Sequence, residues 1–140
     1  MKYLLDTNIC IHFFRGQFDL DKRFLEVGIE NCAISEITLA ELVYGAEISS
    51  NPAKNHKLIE DFSEKITILP IIESIYRYGK EKARLRKKGE LISDFDLLIG
   101  STSIEHELIM VTENVRSSLE SRRLRLKIGL IDNSASFYFV

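Results

Sequence analysis

A chain of 140 residues with 45% hydrophobic and 29% charged content has the size of one compact domain with a single sizeable core. No apolar run approaches the roughly 18 to 20 residues that a membrane-spanning helix needs, and the N-terminus has neither the apolar stretch nor the cleavage site of a secretory signal, so a cytoplasmic protein is expected. The formal charge of −2 is not that of a wholesale nucleic-acid binder, and Cys10 and Cys32 stand apart in apolar surroundings, without metal or redox spacing, which suits buried free thiols.

The apolar run at 2–5 predicts a first buried strand that ends at Asp6-Thr7-Asn8, where a helix begins and continues to about Gly16. A second helix is expected over 19–30, with Leu20, Phe24, Leu25 and Val27 as its apolar stripe, followed by a short strand at 32–34. Ser35 caps a helix over 36–49 that is apolar on nearly every side and therefore expected to lie enclosed within the protein. Pro52 opens the next helix, to about Lys65, and 67–69 forms a third strand. A long basic helix follows over 72–88 until Gly89 stops it. Ser93 caps a helix to about Glu107, and 108–111 is an unbroken apolar strand that ends at Thr112-Glu113-Asn114. Such alternation of strand and helix predicts an α/β sandwich, a mostly parallel central sheet flanked by helices, with function at the carboxyl ends of the strands.

Charge is unevenly spread along this pattern. Residues 77–88 hold seven basic residues against one acid, and 116–127 hold five against one. Folded onto one side they would make a field able to hold a phosphate backbone, although a basic helix face can equally be plain solvated surface.

Three acids stand out. Asp6 lies where the first strand ends, at the kind of position that lines a crevice in an open parallel sheet, though it also suits a simple helix cap. Glu41 is a carboxylate in an apolar helix, which demands a cation, a proton or a metal. Asp96 falls in the first turn of its helix, where it also fits a capping box with Ser93. Each can face the same crevice, and hard oxygen ligands without His or Cys favour Mg2+ or Mn2+ over zinc. His12, His56 and His106 have no ligand spacing and read as structural or surface residues.

The segments LLDTN, ITLAELVYGA, KKGELISDFDLLIGS and VTEN, in this order and spacing, resemble the PIN-domain toxins called VapC. The resemblance is clear over 1–114 within a single PIN-like domain of 1–140. It implies that Asp6, Glu41 and Asp96 bind Mg2+ (or Mn2+), that Asn114 completes the cluster, and that Thr7, Asn8 and Thr112 orient it through hydrogen bonds. Asp94, an additional acid, either touches a second metal or serves the helix N-terminus. The tail at 115–140 departs from the family pattern, lacking its aromatic residue and its Trp.

From the same resemblance the expected function is a metal-dependent ribonuclease toxin that hydrolyses structured RNA such as tRNA through metal-activated water, leaving 5′-phosphate and 3′-hydroxyl ends. Arg84, Arg86, Lys87 and Lys88 would hold the RNA backbone. The expected partners are a cognate antitoxin whose C-terminal segment lies across the active-site groove, and a second copy of the chain in a homodimer. A catalytically weak module that binds RNA or a partner is the alternative, and a metal-dependent phosphatase on a similar sheet is a third reading.

Overall fold

The computed structural model describes residues 1–90 and 92–112. Asn114, the second basic segment and the tail therefore lie outside the described residues. In chain order the elements are β1 (Tyr3–Leu5), α1 (Thr7–Phe14), α2 (Leu20–Val27), β2 (Cys32–Ser35), α3 (Glu36–Glu47), α4 (Pro52–Ser63), β3 (Thr67–Leu69), α5 (Ile75–Lys87), α6 (Asp94–Glu105) and β4 (Ile109–Val111). Single 3-10 turns at Ile29–Asn31 and Ile72–Ser74 shorten the expected α2 and α5. Gly89, at φ +70°, turns the chain out of α5 in a conformation that costs other residues more.

The four strands are all parallel and stand in the order β3-β2-β1-β4. Tyr3 pairs with both Cys32 and Ile109, which places β1 in the centre of the sheet. Strand alternation sends Tyr3, Leu5, Cys32, Ile34 and Val111 to one face, where they pack with Ile9, Phe24, Leu42, Ile59 and Phe62 from α1 to α4. Leu4, Ala33 and Leu69 point to the other face and meet Ile99 and Leu108. The sheet is thus covered on both sides, as parallel sheets require. A smaller cluster joins α5 to α6 through Leu85 and Leu97, with Tyr78, Ile92 and Ile104 around it.

One expectation about α3 is corrected. Leu42 and Ala46 are buried, but Val43, Tyr44 and Ile48 are exposed, Tyr44 by 66%. The helix therefore has one covered face and one open apolar face, and it is not enclosed. Its continuous apolar sequence hides this, because periodicity does not tell core from exposed apolar surface.

Candidate active site

The strand order fixes where a site can form. The chain runs outward from β1 to β2 and β3, then returns to place β4 on the opposite side of β1. The crevice at such a reversal opens at the carboxyl ends of β1 and β4, and Asp6 and Thr112 are the residues that immediately follow those two strands. The backbone N–H of Asp6 donates to the Val111 carbonyl at 2.9 Å, which holds the two strand ends together.

Asp6 caps α1 with an extended backbone, and its Oδ1 accepts from the Thr7 N–H at 2.8 Å. The Thr112 hydroxyl donates to Oδ2 at 2.8 Å. Both oxygens are thus engaged by neutral donors, and the side chain is buried, with only 6% of the residue exposed. Burial pushes the Asp6 carboxyl above its ordinary value; the two hydrogen bonds oppose this, while the charges of Asp96 and Glu41 raise it further. Among the described residues no lysine or arginine enters the electrostatics of Asp6. Burial and like-charge neighbours therefore both work against ionisation of Asp6.

Glu41 is half-buried, and among the described residues its hydrogen-bond partner is not the cation that a structural role would supply. Thr7 Oγ1 donates to Glu41 Oε1 at 2.7 Å, and the Thr38 hydroxyl lies 3.5 Å from that of Thr7. Thr38 in turn is set by the start of α3, where its N–H donates to the capping Ser35 hydroxyl at 3.1 Å. Thr7 therefore touches two acids at once, Asp6 through its backbone and Glu41 through its side chain. Asp96 sits in the first turn of α6, half-buried, and its N–H donates to the Ser93 hydroxyl at 3.2 Å, so that the cap leaves the Asp96 carboxylate free of that duty.

The expected residues divide accordingly. Asp6 feels the like charges of Asp96 and Glu41, and Thr7 and Thr112 hold Asp6 while Thr7 also holds Glu41. Asn8 is exposed and makes no side-chain hydrogen bond among the described residues, in contrast to its expected orienting role. Asp94 Oδ1 is occupied by Lys82 Nζ at 2.7 Å and by the Tyr78 hydroxyl at 2.8 Å, which hold its carboxyl below the ordinary range. Both partners come from α5, and no local spacing in the sequence reveals them. Along α5, Arg86, Lys87 and Lys88 are exposed and have no acidic partner among the described residues. Arg84 departs from the expectation: its Nε is bound to Glu81 at 2.8 Å, and its Nη2 is buried.

The donor set suits Mg2+ on chemical grounds. Among the described residues no group of three or more Asp, Glu, His or Cys side chains is drawn close enough together to hold an ion by itself. Mg2+ does not need one, because it keeps several of its waters and is held through one or two carboxylates. Beside Glu41 a groove of about 220 Å³ runs between α1, α3 and α4, lined by Ile11, Phe14, Arg15, Leu42, Leu58 and Ile59 among others. Sequence reading gave no sign of Arg15 there, since α1 and α3 meet only in the fold.

Comparison with known proteins bears on this geometry. The model of the PIN-domain family matches residues 3–119. Ribonuclease VapC2 of Haemophilus influenzae is 40% identical over 118 residues, covering 83% of this chain and 89% of that protein. The tRNA(fMet)-specific endonuclease VapC of Shigella flexneri is 33% identical over 117 residues, with the same shares covered. Among solved structures, the DNA-bound VapBC of Salmonella typhimurium is similar with a TM-score of 0.79 and 31% identity, over 85% of this chain and 91% of that one. The promoter-DNA-bound VapBC2 of Rickettsia felis gives 0.77 and 32%, over 86% and 92%.

Proposed function

Because the chain belongs to the PIN-domain family and is of the VapC type within it, we propose that it is a metal-dependent endoribonuclease that serves as the toxin of a cytoplasmic toxin-antitoxin pair. The observation that carries this reading is the buried Asp6 at the β1/β4 switch point, held by Thr7 and Thr112 and linked through Thr7 to Glu41, with Asp96 and Glu41 acting on it by like charge. Relatives named as ribonucleases, one of them specific for tRNA, support RNA as the substrate.

In this reading Asp6 and Asp96 would hold Mg2+, or Mn2+, and Glu41 would complete or orient the set; Asn114 follows β4 closely enough in sequence to belong to it. When bound, the ion would supply Lewis-acid chemistry, offsetting charge on a phosphodiester and lowering the pKa of water. The protein supplies the rest. Thr7 N–H and Thr112 Oγ1 fix the rotation of the Asp6 carboxylate, and Thr7 Oγ1 fixes Glu41, so neither acid must reorganise when substrate arrives. Arg86, Lys87 and Lys88 hold the RNA backbone at the end of α5.

Two protein partners complete the proposal. The apolar groove beside Glu41, with Arg15 in its wall, suits a segment of a VapB-like antitoxin that would close the site, in keeping with the VapBC complexes among the similar structures. The open apolar face of α3, with Val43, Tyr44 and Ile48, suits a second copy of the chain. The test of the enzymatic reading is incubation of total RNA with purified wild type and Asp6→Ala in Mg2+, Mn2+ and EDTA, with the product ends mapped. The expected result is wild-type cleavage in metal only, leaving 5′-phosphates. Cleavage in EDTA, or by Asp6→Ala, overturns the reading.

A further inference from the structure

Glu41 is held by a hydroxyl, and whatever directs that hydroxyl decides how the acid is presented. Thr7 Oγ1, on α1, has two oxygen neighbours: Glu41 Oε1 at 2.7 Å and Thr38 Oγ1 at 3.5 Å. A threonine hydroxyl has a single proton, and an ionised carboxylate can only accept. The shorter contact has the length of a charge-assisted bond, so the Thr7 proton is directed to Glu41. The Thr7 oxygen then turns its lone pairs to Thr38, which can serve that second contact only as the donor.

Thr38 is placed for this direction. It is buried, at 0% exposure, and its hydroxyl has no hydrogen-bond partner among the described residues other than that of Thr7. A buried O–H left without an acceptor is unfavourable, which makes the Thr7 oxygen its target. Thr38 precedes Glu41 by three residues on α3 and shares its helix face, so both side chains meet the one hydroxyl of α1. Its backbone is set by Ser35, also buried, which accepts the Thr38 N–H at 3.1 Å. Branching at Cβ restricts the rotation that remains. At 3.5 Å the contact is longer than an ordinary O–H···O bond and adds little to stability. Its effect is one of direction, because in a buried site of low dielectric the Thr38 dipole opposes any turn of the Thr7 hydroxyl away from Glu41. Glu41 Oε1 is thereby engaged from within the fold, while Oε2 makes no hydrogen bond among the described residues.

We propose that Thr38 is a positioning residue of this site: acting through Thr7, it orients Glu41 with one oxygen held by the fold and the other left without a protein partner, and so sets how tightly the acids hold a divalent cation that Thr38 does not touch. The inference rests on the metal-dependent reading given above. If Thr38 only filled space in a packed turn, valine would serve as well, having nearly the same shape without the hydroxyl; the two roles part at that substitution.

The experiment compares the full wild-type chain with Thr38→Val, Thr38→Ala and Thr38→Ser, each stripped with EDTA and dialysed free of it. Two hydroxyl-free variants guard against one that does not fold. Mn2+ is titrated in by calorimetry, Tm is recorded without metal, and single-turnover cleavage of total tRNA is followed at limiting and at saturating Mn2+. The Val and Ala variants should bind Mn2+ about tenfold more weakly, the low end of the range for groups that orient a metal ligand, and the Ser variant within about twofold of wild type. The metal-free Tm of Thr38→Val stays near that of wild type, and its deficit in cleavage shrinks as Mn2+ rises. Wild-type affinity for Mn2+ in the folded hydroxyl-free variants overturns the positioning role and leaves the ribonuclease reading in place. Equal weakening in Thr38→Ser and Thr38→Val also overturns it, since the effect then follows packing and not the hydroxyl. A wild-type protein that binds no Mn2+ overturns the metal-dependent reading and this inference together.

Discussion

Asp6→Asn separates what this residue does for the fold from what it does for the chemistry. The Asp6 carboxyl is buried, raised above its ordinary value, and pressed further by Asp96 and Glu41. An amide has the same shape: its oxygen still accepts from Thr7 N–H, and its nitrogen can donate to Thr112 Oγ1. The substitution gives up the charge-assisted part of the Thr112 bond, about 1 kcal/mol. It also removes the desolvation of an ionised carboxylate, which runs to several kcal/mol for a fully buried ion, along with two like-charge neighbours. The expected net effect is a gain of about 1 to 2 kcal/mol, or a rise of roughly 3 to 6 °C in Tm for a domain of this size.

The pH dependence has a definite sign. The folded pKa of Asp6 lies above the unfolded value of about 3.9, so the folded protein binds this proton more tightly. Wild-type stability accordingly falls as pH rises from about 4 through the raised folded value, and Asp6→Asn lacks this contribution. Mg2+ reverses the order of the two proteins, since a free ion concentration a hundredfold above Kd adds about 2.7 kcal/mol to wild type and little to the variant. Thermal melts at neutral pH in EDTA and in saturating Mg2+ provide the assay. A lower Tm for Asp6→Asn in EDTA would refute the reasoning, because it would mean that the fold itself balances the Asp6 charge.

Further outcomes follow from the same geometry. Thr112→Val leaves Asp6 Oδ2 without its donor and should cost about 1 to 3 kcal/mol of stability, with cleavage reduced about tenfold or more as measured by single-turnover kinetics. Replacing Arg86, Lys87 and Lys88 together by Ala should flatten the salt dependence of RNA affinity by up to about two units of log–log slope, at roughly 0.7 per phosphate contact on single strands; fluorescence anisotropy over a salt series measures this, and an unchanged slope would remove α5 from the RNA path. Burial pushes the Cys10 thiol far up and the Cys32 thiol to about 11, so neither should react with a thiol reagent at neutral pH until the protein unfolds; rapid labelling of the native protein would contradict that.

Much of this architecture is legible in the residues. The strand and helix alternation comes from short apolar runs that end at capping residues, and the expected caps Ser35 and Ser93 do cap α3 and α6 through their side chains, while Asn51, ahead of Pro52, caps α4 without having been singled out. Asp6, Glu41 and Asp96 can be singled out because acids at a strand end, in an apolar helix and in a first turn share a plausible crevice. What stays hidden is whatever tertiary contact decides. Tyr78 and Lys82 reach Asp94 only because Leu85 and Leu97 pack α5 on α6. Arg84 and Lys87 look equivalent along the chain, yet one is drawn to Glu81 and partly buried while the other is exposed. Val43, Tyr44 and Ile48 read as core because an apolar residue carries no mark of whether the fold covers it.

The most direct test of the account is metal add-back. Wild type and Asp96→Asn, both stripped with EDTA, are mixed with total tRNA, and cleavage is followed before and after addition of Mg2+. The account predicts no cleavage by either protein before addition, rapid cleavage by wild type afterwards, and none by Asp96→Asn. Cleavage by stripped wild type that Mg2+ does not accelerate, or activity retained in Asp96→Asn, would contradict the claim that the converging carboxylates are a metal site for RNA hydrolysis.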